Sequence, residues 1–374
     1  MANNLDRIVT VNIDIAAPAV DGASFDCILI VGLPPAREPE RPLPDVGAYS
    51  SLEEVTGAGF AATGENADPV GIAARIAFSQ SPRPTRIFIA AQKGTETMAL
   101  EPPTDTLDRA LGMDGWYVIC PAGVPESQLE EIAEWTEART KMLAYTYLSE
   151  KDPVSPVYFR SHGWCGLTGD GQDPADAPQA NAYLHAAAAA KCLSHPAGSE
   201  TWAFKRLAAV HPSRFGTTMI AKIVNGNGNY FARHAGRNIT MNGITRGGEW
   251  IDIIRGRDWL QNDMQLRIFN LLLTRPKIPF TNPGIALVEN EMIASLKAAQ
   301  GRGIVAPDEY DGDGNLVPGF IVKVPNAQSL TATQRASRRL AGCKFSARLA
   351  GAIHAVRVDG ALTYEGGDTF GTDI

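Results

Sequence analysis

The sequence has few cysteines and no long apolar run. Five cysteines are scattered through 374 residues, and an odd, dispersed set is not typical of a disulfide framework. We expect reduced, mostly buried thiols. No run of about 18 apolar residues occurs, and no apolar segment follows the first charges, so neither a membrane-spanning helix nor a signal peptide is predicted. The sequence therefore predicts a protein made and kept in a cytoplasm, without direct membrane insertion.

The common catalytic motifs are also missing. There is no Walker-type phosphate loop, no Gly-x-Ser-x-Gly elbow and no His-Glu-x-x-His pair. Residues 57–62 match a loose dinucleotide-binding pattern, but they follow a predicted helix, whereas such a loop has to follow a strand directly. An acidic run at 308–314 lacks the closing glutamate of a calcium loop and indicates a solvated turn. We predict no catalytic residue and no cofactor.

One constellation has the residue types of a metal site. His162-x-x-Cys165 and Cys192-x-x-His195 are two pairs of soft ligands, the kind that tetrahedral zinc prefers. However, Cys192 falls within an alanine-rich stretch that predicts a helix, and unpaired cysteines are commonly buried. We favour packed core thiols and ordinary histidines, and keep these four residues as candidate zinc ligands.

The chain has no excess of positive charge. Its formal net charge is −7, so no overall basic field attracts nucleic acid or an anionic membrane. The charge is uneven, because Asp, Glu, Lys and Arg sum to −5 over residues 1–100, −3 over 101–240 and +1 over 241–374. The last third therefore has different surface chemistry, and we predict no nucleic-acid partner.

Residues 21–240 show the pattern of an α/β domain. Continuous apolar runs at 26–32 and 115–120 are typical of strands buried on both faces, and helical periodicity follows at 126–140. Five consecutive alanines favour a helix over 182–193. Glycine and asparagine are concentrated at 224–250, which predicts a domain boundary.

Beyond that boundary, residues 241–361 form a second predicted domain of mixed helices and strands. The stretch 259–274 is apolar nearly all round and predicts a buried helix, and 289–300 predicts an amphipathic one. Strands are expected at 320–324 and 352–358. The predicted fold class is therefore α/β in the first domain and α+β overall.

The two chain ends are predicted to be arms. Val9, Val11, Ile13 and Ile15 alternate with more polar residues, which is the period of a half-buried strand. A strand within residues 1–20 needs a sheet to join, and that sheet could belong to the inner domain or to another chain. The glycine-rich end, 362–374, is predicted to be a second arm.

A basic stretch lies just before the second arm. Arg335, Arg338, Arg339, Lys344 and Arg348 have no acidic residue among them. If 331–340 is helical, the first three share one face at spacings i, i+3 and i+4. The stretch could be a solvated charged surface or a docking surface for an acidic partner.

Three segments resemble contractile tail sheath proteins of myophages, pyocin-like particles and related injection systems. They are GEWIDIIRGRDWL at 248–260, KIPFTNPGI at 277–285 and FSARLAGAIHAV at 345–356. A weaker resemblance extends through the amino-terminal half. The order of the three segments makes the match fairly specific.

The resemblance implies a structural role in a virion tail that is assembled in the bacterial host cytoplasm. An outer α/β domain and an inner, tube-facing domain would form stacked hexameric rings around a tail tube, with baseplate and tail terminator proteins at the ends. The sheath would contract and drive the tube through the host envelope. The basic stretch would face the tube. The residues that would exchange strands between subunits are Val9, Val11, Ile13, Ile15, Leu362, Tyr364 and Phe370.

Two alternatives come from other classes. Strand ends of an α/β sheet commonly carry active sites, so an α/β enzyme is one. Another virion structural protein, from the tube or the baseplate, is the second. A bound nucleotide or metal would favour the enzyme, and hollow polymers would favour the sheath.

Overall fold

A computed structural model describes residues 24–37, 39, 42–94 and 99–358 of the chain. The predicted arm residues Val9, Val11, Ile13, Ile15, Leu362, Tyr364 and Phe370 lie outside the described residues. Most of the described chain before residue 242 is built around one mixed sheet of eight strands. The strands are β1 (Ile28–Gly32), β2 (Gly47–Tyr49), β3 (Ile87–Ala91), β4 (Val118–Ala122), β5 (Met142–Tyr147), β6 (Ser161–Cys165), β7 (Asn229–His234) and β8 (Arg237–Met241).

The strand order is β2-β3-β1-β4-β5-β6-β7-β8. The six central strands are parallel, and β2 and β8 are antiparallel edges. Parallel strands need crossover connections, which place helices on both faces of the sheet. All five residues of β1 are buried, as the continuous apolar run predicts.

Two cores fill the space between the sheet and its helices. One face of the sheet packs against α2 (Pro69–Phe78) and α5 (Leu184–Leu193). The alanines of α5 let it approach α2 closely. The short helix α1 (Leu52–Gly57) lies next to α2. The opposite face of the sheet packs against three helices. Those three helices are α3 (Pro103–Ala110), α4 (Leu129–Glu137) and α6 (Thr217–Asn225). The α/β prediction for this region is confirmed.

The C-terminal region is built on two long helices, α7 (Ile251–Thr274) and α8 (Asn282–Gly301), which pack against each other. Around them lie short strands and one short helix. These are β9 (Glu309–Tyr310), β10 (Leu316–Val317), β11 (Phe320–Lys323), α9 (Ala332–Ala336) and β12 (Lys344–Ala347). A small core around Leu296 holds β11 and β12 against α8.

Three local predictions for this region are wrong. The outer half of α7 is not buried in this chain, because Phe269, Leu272 and Leu273 are about half exposed. Residues 352–358 form no strand. The helix predicted over 331–340 ends at Ala336, and Arg338 lies beyond it with φ +54°.

Candidate assembly surfaces and the buried junction

The strands β11 and β12 form an isolated antiparallel ribbon. Phe320 pairs with Ala347 and Lys323 pairs with Lys344. One side of the ribbon packs on the core around Leu296. On the other side, Ile321 is 50% exposed. A two-stranded ribbon is marginally stable without further strands or a packed helix, so this one depends on α8.

Both edges of the ribbon are open within the described residues. The Arg348 amide donates to the Gly319 carbonyl at 2.8 Å. This bond sets the alternation, so that the backbone groups of Phe345 and Ala347 point away from β11. No further strand pairs with this outer edge in the described part of the chain. Such an edge is a ready template for a strand from another segment or chain.

Large apolar side chains are exposed in two segments of the C-terminal region. At the end of α7 these are Phe269, Leu272 and Leu273. In the segment after β12, Ile353 is 82% exposed and Val358 is 84% exposed. Large apolar side chains exposed in such numbers are typical of interaction sites, so this region has the character of a surface that another chain covers.

The basic residues after α8 are exposed but do not share one helical face. Arg335 is in α9 and donates to the Ala327 carbonyl at 2.6 Å. Arg338 and Arg339 follow the end of the helix. Arg348 donates to Glu309 at 2.7 Å, so it has an acidic partner from outside the stretch. The prediction that Arg335, Arg338 and Arg339 share one helical face is therefore wrong, because α9 has only five residues and ends at Ala336.

Lysines also face each other across the ribbon. Lys323 lies directly opposite Lys344, and both are exposed. Like charges in directly opposed positions are destabilising. An acidic partner at this point would remove the repulsion, so the ribbon adds to the basic surface of the preceding residues.

The structure does not bring the four candidate zinc ligands together. His162 and Cys165 are three positions apart on β6, so their side chains project to opposite faces of the sheet. The Trp164 indole donates to His162 Nδ1 at 2.9 Å, and Cys192 lies in the same core as Trp164. Cys165 lies in the core on the other face, where burial raises the pKa of its thiol to about 12. Among the described residues no group of three His, Cys, Asp or Glu side chains is placed to hold a metal ion.

Arg255, in the second turn of α7, joins the C-terminal region to the α/β region. Its side chain is fully buried and contacts Glu200 and Asp26, the latter at 2.9 Å. It also donates to the carbonyls of Phe25 at 3.1 Å and His195 at 2.8 Å. One guanidinium thus satisfies acceptors from the chain before β1 and from the end of α5.

Asp258, one turn further along α7, makes a second buried connection. Its carboxylate accepts two hydrogen bonds from Arg160, at 2.6 and 3.0 Å, and one from the Tyr117 hydroxyl at 2.8 Å. Arg–carboxylate pairs of this fork geometry are strong and directional. Sequence reasoning missed both Arg255 and Asp258. The signal that could have found them is a pair of opposite charges three positions apart near the start of a largely apolar helix.

The segment after β12 is attached to the α/β region through His354. The His354 ring lies edge-on to Trp250, with centroids 4.4 Å apart, and to Phe204 at 5.7 Å. Its Nε2 lies 2.7 Å from the Thr201 hydroxyl. Burial lowers the pKa of His354. These two ring contacts and one hydrogen bond hold the segment at His354 against the α/β region.

A cavity of about 580 Å³ lies under this segment. Its walls come from the turn at 198–201, the start of α7, the end of α8 and residues 349–352. Burial raises the pKa of Glu200 to about 7 and that of Asp252 to about 6. Two carboxyl groups thus line a cavity at the junction of the two regions.

These features define a class of protein. The C-terminal region combines open strand edges, exposed large apolar side chains and a basic patch. They are the features of a subunit that completes its packing in an assembly. Within the described residues, no helix has the length and apolar character needed to cross a bilayer.

Comparison with known proteins agrees with this class. Residues 251–362 match the family model described as "E217 tail sheath protein gp31-like, C-terminal domain". No curated protein matches the chain.

Solved structures match the chain over nearly its whole length. A chain of the anti-feeding prophage baseplate, solved with six-fold symmetry, is 14% identical with a TM-score of 0.68 and covers 95% of this chain and 98% of its own. The contracted helical sheath of the same particle is 12% identical with a TM-score of 0.66, covering 96% and 98%. The sheath tail protein Lin1278 from Listeria innocua is 10% identical with a TM-score of 0.53, covering 82% and 89%.

At these identities the structural matches establish a shared fold. The family match to residues 251–362 and the shared fold agree with a resemblance to contractile tail sheath proteins. The resemblance predicted from the sequence is confirmed.

Proposed function

We propose that the chain is a sheath subunit that polymerises as stacked hexameric rings around a tail tube and contracts to drive the tube through a host envelope. The observation that carries the proposal is the open β11–β12 ribbon within the matched sheath domain. The six-fold symmetry of the similar baseplate chain supports hexameric rings. Nothing in this role requires catalysis, and we propose that the chain is not an enzyme.

The arms would supply the strands that the ribbon lacks. The proposed donors are Val9, Val11, Ile13 and Ile15 in the first arm and Leu362, Tyr364 and Phe370 in the second. Backbone hydrogen bonds to the open edges would give affinity, and the alternating side chains would fix the register. Because donor and acceptor surfaces differ, the contact is heterologous and repeats from subunit to subunit.

Contraction would be a switch between two packings of the same subunits. Strand-to-strand joints allow bodies to rotate while their backbone hydrogen bonds persist. Such a switch between packed arrangements needs only a free-energy difference between them. The domain division at residues 240 and 241 would then separate an outer body from an inner, tube-facing body.

We further propose that the basic surface faces the tube. Arg338, Arg339 and Lys344 are exposed, and Arg335 and Arg348 lie beside them with partners of their own. The expected partner is an acidic tube surface. Baseplate and tail terminator proteins would meet the sheath at its ends, and the assembled particle would be a virion tail.

Charge reversal tests the tube contact. With Arg338→Glu and Arg339→Glu together, we expect binding to the cognate tube protein to weaken about tenfold or more, because attraction becomes repulsion at two positions. Co-sedimentation with assembled tubes measures this. Arg237→Glu, an exposed change at the start of β8, is the matched control and should leave binding intact. Tube-templated assembly that survives the double reversal would overturn the assignment.

Electron microscopy of the purified protein tests the function as a whole. We expect hollow polymers wide enough to enclose a tube, because the open edges and the proposed arms repeat in every copy. A chain that stays monomeric at high concentration and shows catalytic turnover would refute the proposal.

A further inference from the structure

The chain after β12 is held by backbone hydrogen bonds as far as Ala350. The Ala306 amide donates to the Arg348 carbonyl at 2.7 Å, and the Ala350 amide donates to the Ile304 carbonyl at 3.2 Å. Gly351 follows with φ +66°, a left-handed conformation that favours glycine. The chain therefore turns at Gly351, directly after the part that is held.

Residues 351–358, which we call the strap, are anchored to the subunit at His354. Within this segment every residue except His354 is exposed, and no residue belongs to a helix or a strand. Ile353 is 82% exposed and Val356 is 77% exposed. A segment with so little packing opens easily by itself, so its position depends on what holds His354.

The slot that receives the His354 ring is formed by Thr201, Phe204 and Trp250. Phe204 has φ +61°, which is strained for a bulky residue. Its amide donates to the Thr240 carbonyl at 2.7 Å, and the Lys205 amide donates to the Thr240 hydroxyl at 2.9 Å. Such strain persists where the surrounding structure fixes the backbone. The edge strand β8 therefore holds this wall of the slot in place.

Trp250 forms the opposite wall. It lies directly before α7, and an antiparallel bridge pairs it with Ile244. The Trp250 side chain is 36% exposed and Phe204 is 43% exposed, even with His354 beside them. If His354 left, both aromatic rings would become more exposed, so the slot favours the closed strap. Two ring contacts and one hydrogen bond are also few enough to open without unfolding the subunit.

We propose that His354 is a latch that closes the strap onto its own subunit, and that the closed strap fixes the point from which residues 362–374 leave. A chain end that starts from a fixed point loses less conformational freedom when it binds a neighbour. The latch therefore favours polymerisation, and this consequence rests on the proposed function. The latch itself lies within one subunit and is tested without assembly.

Limited trypsin digestion of the full-length protein, at a concentration where it is unassembled, tests the latch. Arg357 is the last basic residue of the chain, so release of the peptide 358–374 reports cleavage at that bond. A protease takes several residues on each side of a bond into its cleft, so this cleavage requires the strap to leave the slot. Trp250→Ala leaves the cleaved sequence unchanged and should speed peptide release about fivefold or more, because a ring contact is lost. Cleavage after Arg233, within β7, reports opening of the sheet and should not accelerate.

Three further variants complete the test. His354→Ala removes both ring contacts and the hydrogen bond and should speed release about tenfold or more. It lies on the strap and keeps the test valid if Trp250→Ala unfolds. Thr201→Val removes the hydrogen bond alone, so we expect about threefold. Ile353→Ala, the matched control, truncates an exposed strap residue and should leave the rate unchanged. Unchanged rates for both Trp250→Ala and His354→Ala would overturn the latch.

Polymerisation separates the latch from its consequence. His354→Ala should raise the critical concentration about threefold or more, because the chain end then starts from an unfixed base. Faster peptide release together with an unchanged or lower critical concentration would overturn the positioning role. A wild-type chain that forms no polymer would contradict the proposed function instead, and peptide release would still decide whether the latch exists.

Discussion

A chain in which Val11 and Ile13 are both replaced by serine is expected to fold as a monomer and to fail to polymerise. In the proposed exchange these side chains lie on the buried face of the donated strand. Each buried branched side chain contributes about 1.5–3 kcal/mol, so losing two should raise the critical concentration by about two orders of magnitude or more. Sedimentation of the polymer over a concentration series measures it.

The matched control uses the same segment and the opposite face. Thr10→Ser with Asn12→Ser changes the residues between the apolar positions and should leave polymerisation near wild type. Deleting 1–15 or 362–374 should have the effect of the Val11 and Ile13 change. Sheaths that form normally from either truncated chain would show that the arms do not carry the assembly.

Replacing Arg255 with methionine is expected to destabilise the subunit by about 3–5 kcal/mol, because it leaves the buried Glu200 carboxylate uncompensated. The carbonyls of Phe25 and His195 would also lose their donor. Denaturant unfolding followed by tryptophan fluorescence measures the change.

Its neighbour Arg257 provides the control. The Arg257 side chain is 53% exposed and also contacts Asp258, so Arg257→Met should cost less than about 1 kcal/mol. Glu200→Leu added to Arg255→Met should recover part of the loss, since the pair interacts directly. Equal losses for Arg255→Met and Arg257→Met would mean that the buried network does not join the two regions.

The α/β region could be predicted because its signals are local. The continuous apolar run at 26–32 gave β1, and the alanine run gave α5 within two residues of its start. The helix predicted over 289–300 begins seven residues after the start of α8 at Asn282. In the structure, Pro283 lies in the first turn and Thr281 caps the helix, accepting from the Gly284 amide at 3.3 Å.

The C-terminal surfaces could not be predicted in the same way. The apolar composition of α7 indicates that its side chains are covered, but it does not tell whether the same chain covers them. Phe269 and Leu273 are exposed in the single subunit. The predicted basic face also required a helix that reaches Arg338 and Arg339. The observed helix α9 has five residues and ends at Ala336.

The buried junction needed three-dimensional information. Arg255 draws partners from residues about 60 and about 230 positions earlier, and no sequence period connects them. The zinc hypothesis failed on a simpler point, because a spacing of three along a strand places His162 and Cys165 on opposite faces. That argument was available once the segment was assigned to a strand.

The most direct test is a cryo-electron microscopy reconstruction of the polymer formed by the purified chain. It should show the β11–β12 ribbon extended at its outer edges by strands from neighbouring subunits, with Val11 and Ile13 packed on its buried face. A polymer whose ribbon remains two-stranded, with arms folded back on their own subunit, would contradict the account.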